Sequence, residues 1–142
     1  GKPLSKMMDR ILNDEGLEAL NEVCHAAAKI PDRDLDKFTA AVLYANANTS
    51  CEVCRIAESL ELFEYAPGVR DANNLGAWWL ENKLDCSLPY EIDEFFDYEG
   101  YGESIAENND GEFVEGFGFV CMEEGYTLED VLQDTDQGMG GM

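Results

Sequence analysis

Two cysteines separated by two residues, Cys51 and Cys54, and a lone histidine, His25, are the side chains of this 142-residue chain best suited to bond-making chemistry. A zinc ion needs four ligands, so Cys51 and Cys54 would have to recruit two more from Cys24, His25 or a distant carboxylate. A redox dithiol of the thioredoxin kind follows a strand in a βαβ setting. This pair instead falls in a segment of helical periodicity, where thiols three residues apart share one face. Filling that face of a helical bundle is the favoured role for them, with metal or redox chemistry as the alternative. His25 is the only histidine, and nothing around it has the pattern of a nucleophile elbow, so no Ser–His–Asp or Cys–His catalytic set can be assembled elsewhere. A core-edge or surface position is expected for it.

Acidic residues raise the question of calcium. An EF-hand loop needs oxygen ligands at positions 1, 3 and 5, glycine at 6 and glutamate at 12. Counting from Asp32 satisfies the first three, but Lys37 and Leu43 occupy positions 6 and 12. Counting from Asp134, the given sequence stops before position 12. The glycines of Gly100-Tyr101-Gly102 and Gly116-Phe117-Gly118 lie among carboxylates, which would repel a phosphate. Basic patches interleaved with aromatics are missing, so direct binding of nucleic acid is not expected.

Charge carries more information than any of these motifs. Residues 1–60 hold ten acids and seven bases, a net of −3, whereas residues 61–142 hold 21 acids and two bases, Arg70 and Lys83, a net of −19. Beyond Lys83 there are 17 acids and no Lys or Arg. A halophilic composition would spread its acids along the chain; here they are concentrated. The densest run is Glu91, Asp93, Glu94, Asp97, Glu99, Glu103, Glu107, Asp110, Glu112 and Glu115. An ordinary solvated face is the plain reading of such a run. Against it stand the lack of nearby counter-charges, which leaves self-repulsion unrelieved, and the aromatics at 95, 96, 98, 101, 113, 117 and 119, which can anchor the backbone. Duplex DNA carries one charge per ~1.7 Å of axis, so 19 charges correspond to roughly 32 Å of duplex. A folded chain of this length has a radius of gyration of about 14 Å and can span that distance.

The elements that position these residues follow from periodicity. Leu4, Met7, Met8, Ile11 and Leu12 repeat at helical spacing until Gly16; Leu17, Leu20, Val23, Cys24 and Ala27 resume it until Pro31. Leu35, Phe38, Val42 and Leu43 mark a third helix, and Thr49 with Glu52 forms a capping box ahead of Val53, Ile56, Ala57 and Leu60. A short strand is expected at 62–65, ended by Pro67-Gly68. Asp71 caps a helix holding Leu75, Trp78, Trp79 and Leu84. Pro89 opens another through Ile92, Phe95 and Phe96. Gly100 and Gly102 are expected to bend or interrupt the helical pattern that resumes to about Asn108. Asn109-Asp110-Gly111 turns into strands at 112–114 and 117–121, Thr127 and Asp130 cap a final turn, and the tail from Gly138 is expected to be disordered. The fold class is therefore α+β, mostly helical, with a small antiparallel sheet. Its expected parts are a helical subdomain (1–60), an acidic α+β subdomain (61–124) and a C-terminal extension (125–142). No apolar run approaches the ~18 residues of a membrane span and no signal-peptide pattern opens the chain. With five cysteines, an odd number, reduced thiols in the cytoplasm are expected.

The block "FDYEGYGESI" from Phe96 to Ile105, followed by "GEFVEGFGFV", resembles the signature of ArdA-type antirestriction proteins, in which a D-Y-E-x-[YF]-G block precedes a glycine–aromatic–valine strand. Upstream, "YAPGVRDANNLGAWWLENKLDCSLPY" is similar to the family's aromatic-x-Pro-Gly-Val run, its L-G pair in a helix and its following proline. The resemblance covers residues 61–120. Residues 4–60 are similar in their helical character to the family's middle region. Members usually begin with a small α/β domain that has no counterpart here, and the stretch from Gly125 extends past their usual end. A shortened relative and a chain whose first domain was removed are both open, since Gly1 stands where Met would begin a natural chain. The resemblance implies a non-enzymatic homodimer, encoded on mobile genetic elements, that mimics bent DNA in the groove of type I restriction–modification enzymes. It implies that Asp97, Glu99 and Glu103 stand in for phosphates, that Tyr98, Gly100, Tyr101 and Gly102 shape the backbone or a dimer contact, and that no cofactor is needed. The alternative is an acidic adaptor or antitoxin for a basic protein partner; a thiol or zinc enzyme built on Cys51, Cys54 and His25 is a further rival.

Overall fold

The computed structural model describes residues 2–132. Along the chain come α1 (Lys2–Glu15), α2 (Leu17–Ala28), a 3₁₀ turn (Asp32–Asp34), α3 (Leu35–Ala45), α4 (Ser50–Glu58), a second 3₁₀ turn (Leu60–Leu62), β1 (Phe63–Pro67) and α5 (Ala72–Asn82). Then follow α6 (Tyr90–Asp93), α7 (Tyr98–Asn108), β2 (Glu112–Val114), β3 (Gly118–Met122) and α8 (Leu128–Leu132). The protein is thus a mostly helical α+β structure with a three-stranded antiparallel sheet. Among the described residues no helix is long and apolar enough to cross a membrane. The expected tail from Gly138 lies outside the described residues.

The described residues divide into two compact units: 2–62 with 125–132, and Phe63–Glu124. In the first, Gly16 separates α1 from α2 because its φ of +97° is open to glycine and costly for other residues. Its N–H bonds to the carbonyls of Ile11 and Leu12 at 3.2 and 3.1 Å, closing α1. Thr49 Oγ1 accepts the Glu52 N–H at 3.2 Å and so starts α4, while the Glu52 carboxylate takes the N–H of Asn48 rather than that of Thr49. Thr127 and Asp130 form the reciprocal box in full, at 2.8 and 3.3 Å, ahead of α8. Met7, Ile11, Val23, Phe38, Val42, Tyr44, Val53, Ile56 and Val131 are buried.

That core is narrower than the periodicity suggests at some helices and wider at another. Leu12, Leu17 and Cys24 are exposed, as are Leu35 and Leu43 at the margins of α3. α3 instead buries Phe38, Thr39, Ala40, Ala41, Val42 and Tyr44, which point in nearly every direction. Small residues let neighbouring helices close in around it, and Thr39 satisfies its hydroxyl on the Leu35 carbonyl at 2.9 Å.

In the second unit the sheet order is β1-β3-β2, with Tyr65 opposite Val120 and Glu112 opposite Val120 from the other side. β3 is the central strand and is buried along its whole length. Ala66, Val69, Leu75, Ile105, Phe119 and Cys121 form the core, with Trp78, Trp79, Tyr101 and Ala106 packed against it. Gly102 does not interrupt α7. It sits inside the helix where α7 meets α5, and a Cβ there would lie 1.8 Å from the Ala72 carbonyl oxygen. Gly76 has the same role from α5, facing the Tyr98 carbonyl at 2.2 Å. α5 ends at Asn82, so Leu84 falls outside it and is exposed. α6 is a single turn that stops short of Phe95 and Phe96.

Candidate functional site

All ten acids of the run from Glu91 to Glu115 are exposed. Glu91 and Asp93 lie on α6 and Glu94 follows it. Asp97 precedes α7, and Glu99, Glu103 and Glu107 repeat every four residues along that helix, which places them on one face. Four residues rise about 6 Å, so this row presents one carboxylate per ~6 Å of axis. Duplex DNA presents one charge per ~1.7 Å. α7 alone therefore falls several-fold short of the density of a duplex, and the acids of α6 and of the β2–β3 hairpin are needed to approach it. Asp110 sits in the turn with φ +55°, a conformation Asp tolerates, Glu112 is on β2, and Glu115 is in the turn between β2 and β3.

The acids differ in what holds them. The Asp97 carboxylate accepts the Gly100 N–H at 2.9 Å and caps α7. A Cβ on Gly100 would meet that carboxylate at 2.2 Å, so a larger residue there would make the Asp97 side chain shift. The Tyr98 hydroxyl donates to Asp93 across the bend between α6 and α7, and this bond holds the phenol above its usual pKa. Tyr98 and Tyr101 both stack edge-on with Phe96, ring centroids 4.7 and 5.7 Å apart. Phe113 tilts against Phe119 at 5.1 Å. Phe96, Tyr98, Tyr101 and Phe119 thus anchor the acidic segment as the sequence suggests. Phe95 does not: at 82% exposure it projects into solvent, and Tyr90 and Ile92 are exposed as well.

The Asp97 cap and the Tyr98–Asp93 bond are site features that charge counting misses. An aspartate just ahead of a helical run is a readable capping signal; the tyrosine bond depends on the bend between two helices and leaves no local pattern. Of the two bases in this unit, Lys83 is held by Glu64 at 2.8 Å and lies 5.7 Å from the Trp79 ring centre. The hydrogen bond to Glu64 is the main reason its pKa is raised. Arg70 lines an open cavity of about 570 Å³ with Phe113, Glu115 and Phe117.

The thiols and the histidine lie in the first unit. Cys51 is exposed and Cys54 partly so; they do not fill the bundle, which uses Val53 and Ile56 of α4 for that purpose. His25, Cys51 and Cys54 line one shallow cavity. Among the described residues no three His, Cys, Asp or Glu side chains converge in a way that could hold a metal ion. Cys24 and Cys86 are exposed; Cys121, on β3 opposite Glu64, is buried, and burial pushes its thiol up to about 12.

Comparison with family models, with curated proteins and with solved structures finds no match to this chain.

Proposed function

We propose that this protein is a DNA-mimic inhibitor of the ArdA antirestriction type, acting in the cytoplasm against type I restriction–modification enzymes. The observation that carries the reading is the set of ten exposed carboxylates between Glu91 and Glu115, in a segment without any Lys or Arg. Carboxylates on α6, α7 and the hairpin occupy the enzyme's Lys and Arg in place of phosphates, and both surfaces shed ions as they meet. Binding is the whole activity; no bond is made or broken and no cofactor takes part. Asp97, Glu99 and Glu103 are the acids that the resemblance selects, and a homodimer would lengthen the acidic surface. The capped and aromatic-anchored backbone supports this reading, because a mimic must hold its charges in place before the enzyme arrives.

The direct test is a gel-shift competition between this protein and target duplex for a type I methyltransferase. The protein should displace the duplex, and should not itself retard duplex at micromolar concentration. Failure to displace, or retardation of bare duplex, contradicts the reading.

One observation favours a second reading, an acidic adaptor or antitoxin for a basic protein partner. Tyr90, Ile92 and Phe95 are exposed among the acids, and an apolar patch of this kind suits a protein surface better than a DNA groove. Such a partner would bind without competing against duplex.

A further inference from the structure

Cys51 and Cys54 have unequal surroundings on the same helix. Cys51 is the second residue after the Thr49 cap of the nine-residue α4. Arg55 Nε lies 3.4 Å from Cys51 Sγ and donates to it. Cys54 is one turn deeper and less exposed, and burial, followed by the charges of Glu22 and Glu58, pushes its thiol up. Both line a shallow cavity of about 590 Å³ with His25, Lys29 and Arg55, open enough to admit a small molecule. The first turn of α4 is fastened in place: Glu15 accepts the Ser50 N–H at 2.9 Å and the Ser50 hydroxyl at 2.6 Å. Helix geometry puts the two cysteine Cα atoms about 5 Å apart, inside the ~4.4–6.8 Å window for a disulfide; their Cβ atoms, about 5–6 Å apart on a regular helix, must draw in to about 4 Å, so closing the bond tightens the first turn of α4.

We propose that Cys51 and Cys54 form a reversible dithiol–disulfide couple, with Cys51 the attacking and Cys54 the resolving sulfur, and a low-molecular-weight disulfide as oxidant. With oxidised glutathione, Cys51 Sγ attacks one sulfur; the glutathione S–S bond breaks and one glutathione leaves as thiolate, taking up a proton. Cys54 then gives up its proton and its sulfur attacks Cys51 Sγ, expelling the second glutathione thiolate, which is protonated in turn. One disulfide is formed in the protein and two molecules of glutathione are released, so two electrons pass from the dithiol to the oxidant. The inequality of the two sites sets the order of events, since the more exposed and cation-flanked sulfur reacts first. This couple is independent of the acidic segment and of the function proposed for it.

The test uses the full, reduced chain treated with oxidised glutathione, alkylated, digested and weighed. The peptide holding both cysteines should lose two hydrogens and resist alkylation. In the untreated protein near neutral pH, Cys51 should alkylate several-fold faster than Cys54, because its sulfur is the more exposed and lies against Arg55. Cys54→Ser should accumulate glutathione at position 51, and Cys51→Ser should leave Cys54 largely unmodified over the same time. Two independently alkylated cysteines after treatment of the unmutated chain, or glutathione settling first on Cys54, overturns the proposal. Protection of both thiols that a chelator removes would overturn it in favour of a bound metal. The measurement on the unmutated chain stands whether or not either variant folds.

Discussion

The two units use carboxylates for opposite purposes. In the first, ten acids meet seven bases over residues 1–60, and several acids hold the fold together: Glu15 fastens Ser50 across 35 residues, Glu52 takes the Asn48 N–H, and Asp130 completes a reciprocal cap with Thr127. In the second, Phe63–Glu124, sixteen acids face two bases, one of which is already held by Glu64. There Asp71 and Asp97 cap helices, but Glu99, Glu103 and Glu107 form an exposed row along α7. Like charges four residues apart on a helix cost about 0.2–0.5 kcal/mol per pair. A carboxylate's role thus follows from whether a donor is built beside it, and the second unit carries a charge excess its own fold does not need.

If the second unit's stability comes from its core and helix crossing rather than its charges, the largest losses should come from apolar and glycine positions. Phe119→Ala removes a buried ring at 1% exposure from the central strand and should cost about 3–5 kcal/mol in a denaturant titration. Gly102→Ala forces a Cβ against the Ala72 carbonyl and should cost about 2 kcal/mol, since overpacking outweighs the gain in helix propensity. A smaller effect is expected at alkaline pH. The folded-state pKa values of Cys121 and Lys83 are raised, so the stability they contribute is present below their unfolded values. The Cys121 part should decline as pH rises from about 8.5, the ordinary thiol value, toward about 12; the Lys83 part declines only above about 10.4, the ordinary lysine value. Denaturant midpoints measured from pH 7 to pH 10 would check this, and Cys121→Ser should flatten the decline.

Asp97 tests the boundary between the two roles. Asp97→Ala removes cap and charge and should cost about 1 kcal/mol, whereas Asp97→Asn keeps a capping side chain and should cost a few tenths. The smallest effect on stability should come from Asp97→Asn, Glu99→Gln and Glu103→Gln together. Relief of repulsion along α7 should leave the melting temperature unchanged or slightly raised, yet inhibition should weaken. Changing Asp9, Asp14 and Glu18 to amides should alter inhibition little, because bases neighbour them in the sequence. Equal loss from both sets would mean that net charge, and not this surface, does the binding.

Local signals made much of the fold legible in the sequence. Thr49, Asp71 and the Thr127–Asp130 pair all serve as the caps their spacing suggests, and the turn at 109–111 leads into the expected hairpin. Non-local packing was not legible. Gly102 reads as a helix breaker until α5 is seen to pass against it, and Leu17 fits the helical period yet is 64% exposed. Exposure of the acids followed from charge alone. The difference between Cys51 and Cys54 did not, because spacing puts both on one face and only the neighbouring helices and Arg55 distinguish them. Phe95 is uncovered for a related reason: α6 is shorter than its aromatic run suggests.

Salt dependence tests the central claim most directly, because ion release separates a phosphate substitute from an apolar interface. A type I methyltransferase would be titrated with this protein and, separately, with duplex, at roughly 50 to 300 mM salt. For DNA the slope of log K against log salt is about −0.9 per phosphate neutralised. Carboxylates on separate helices and a hairpin are not a regular line of charge and hold fewer condensed ions, so the protein's slope should be shallower than that of duplex but still several units. Inhibition should then persist over a range of salt in which the enzyme is already losing DNA. A flat dependence would point to Tyr90, Ile92 and Phe95 as the contacts and would contradict mimicry of DNA.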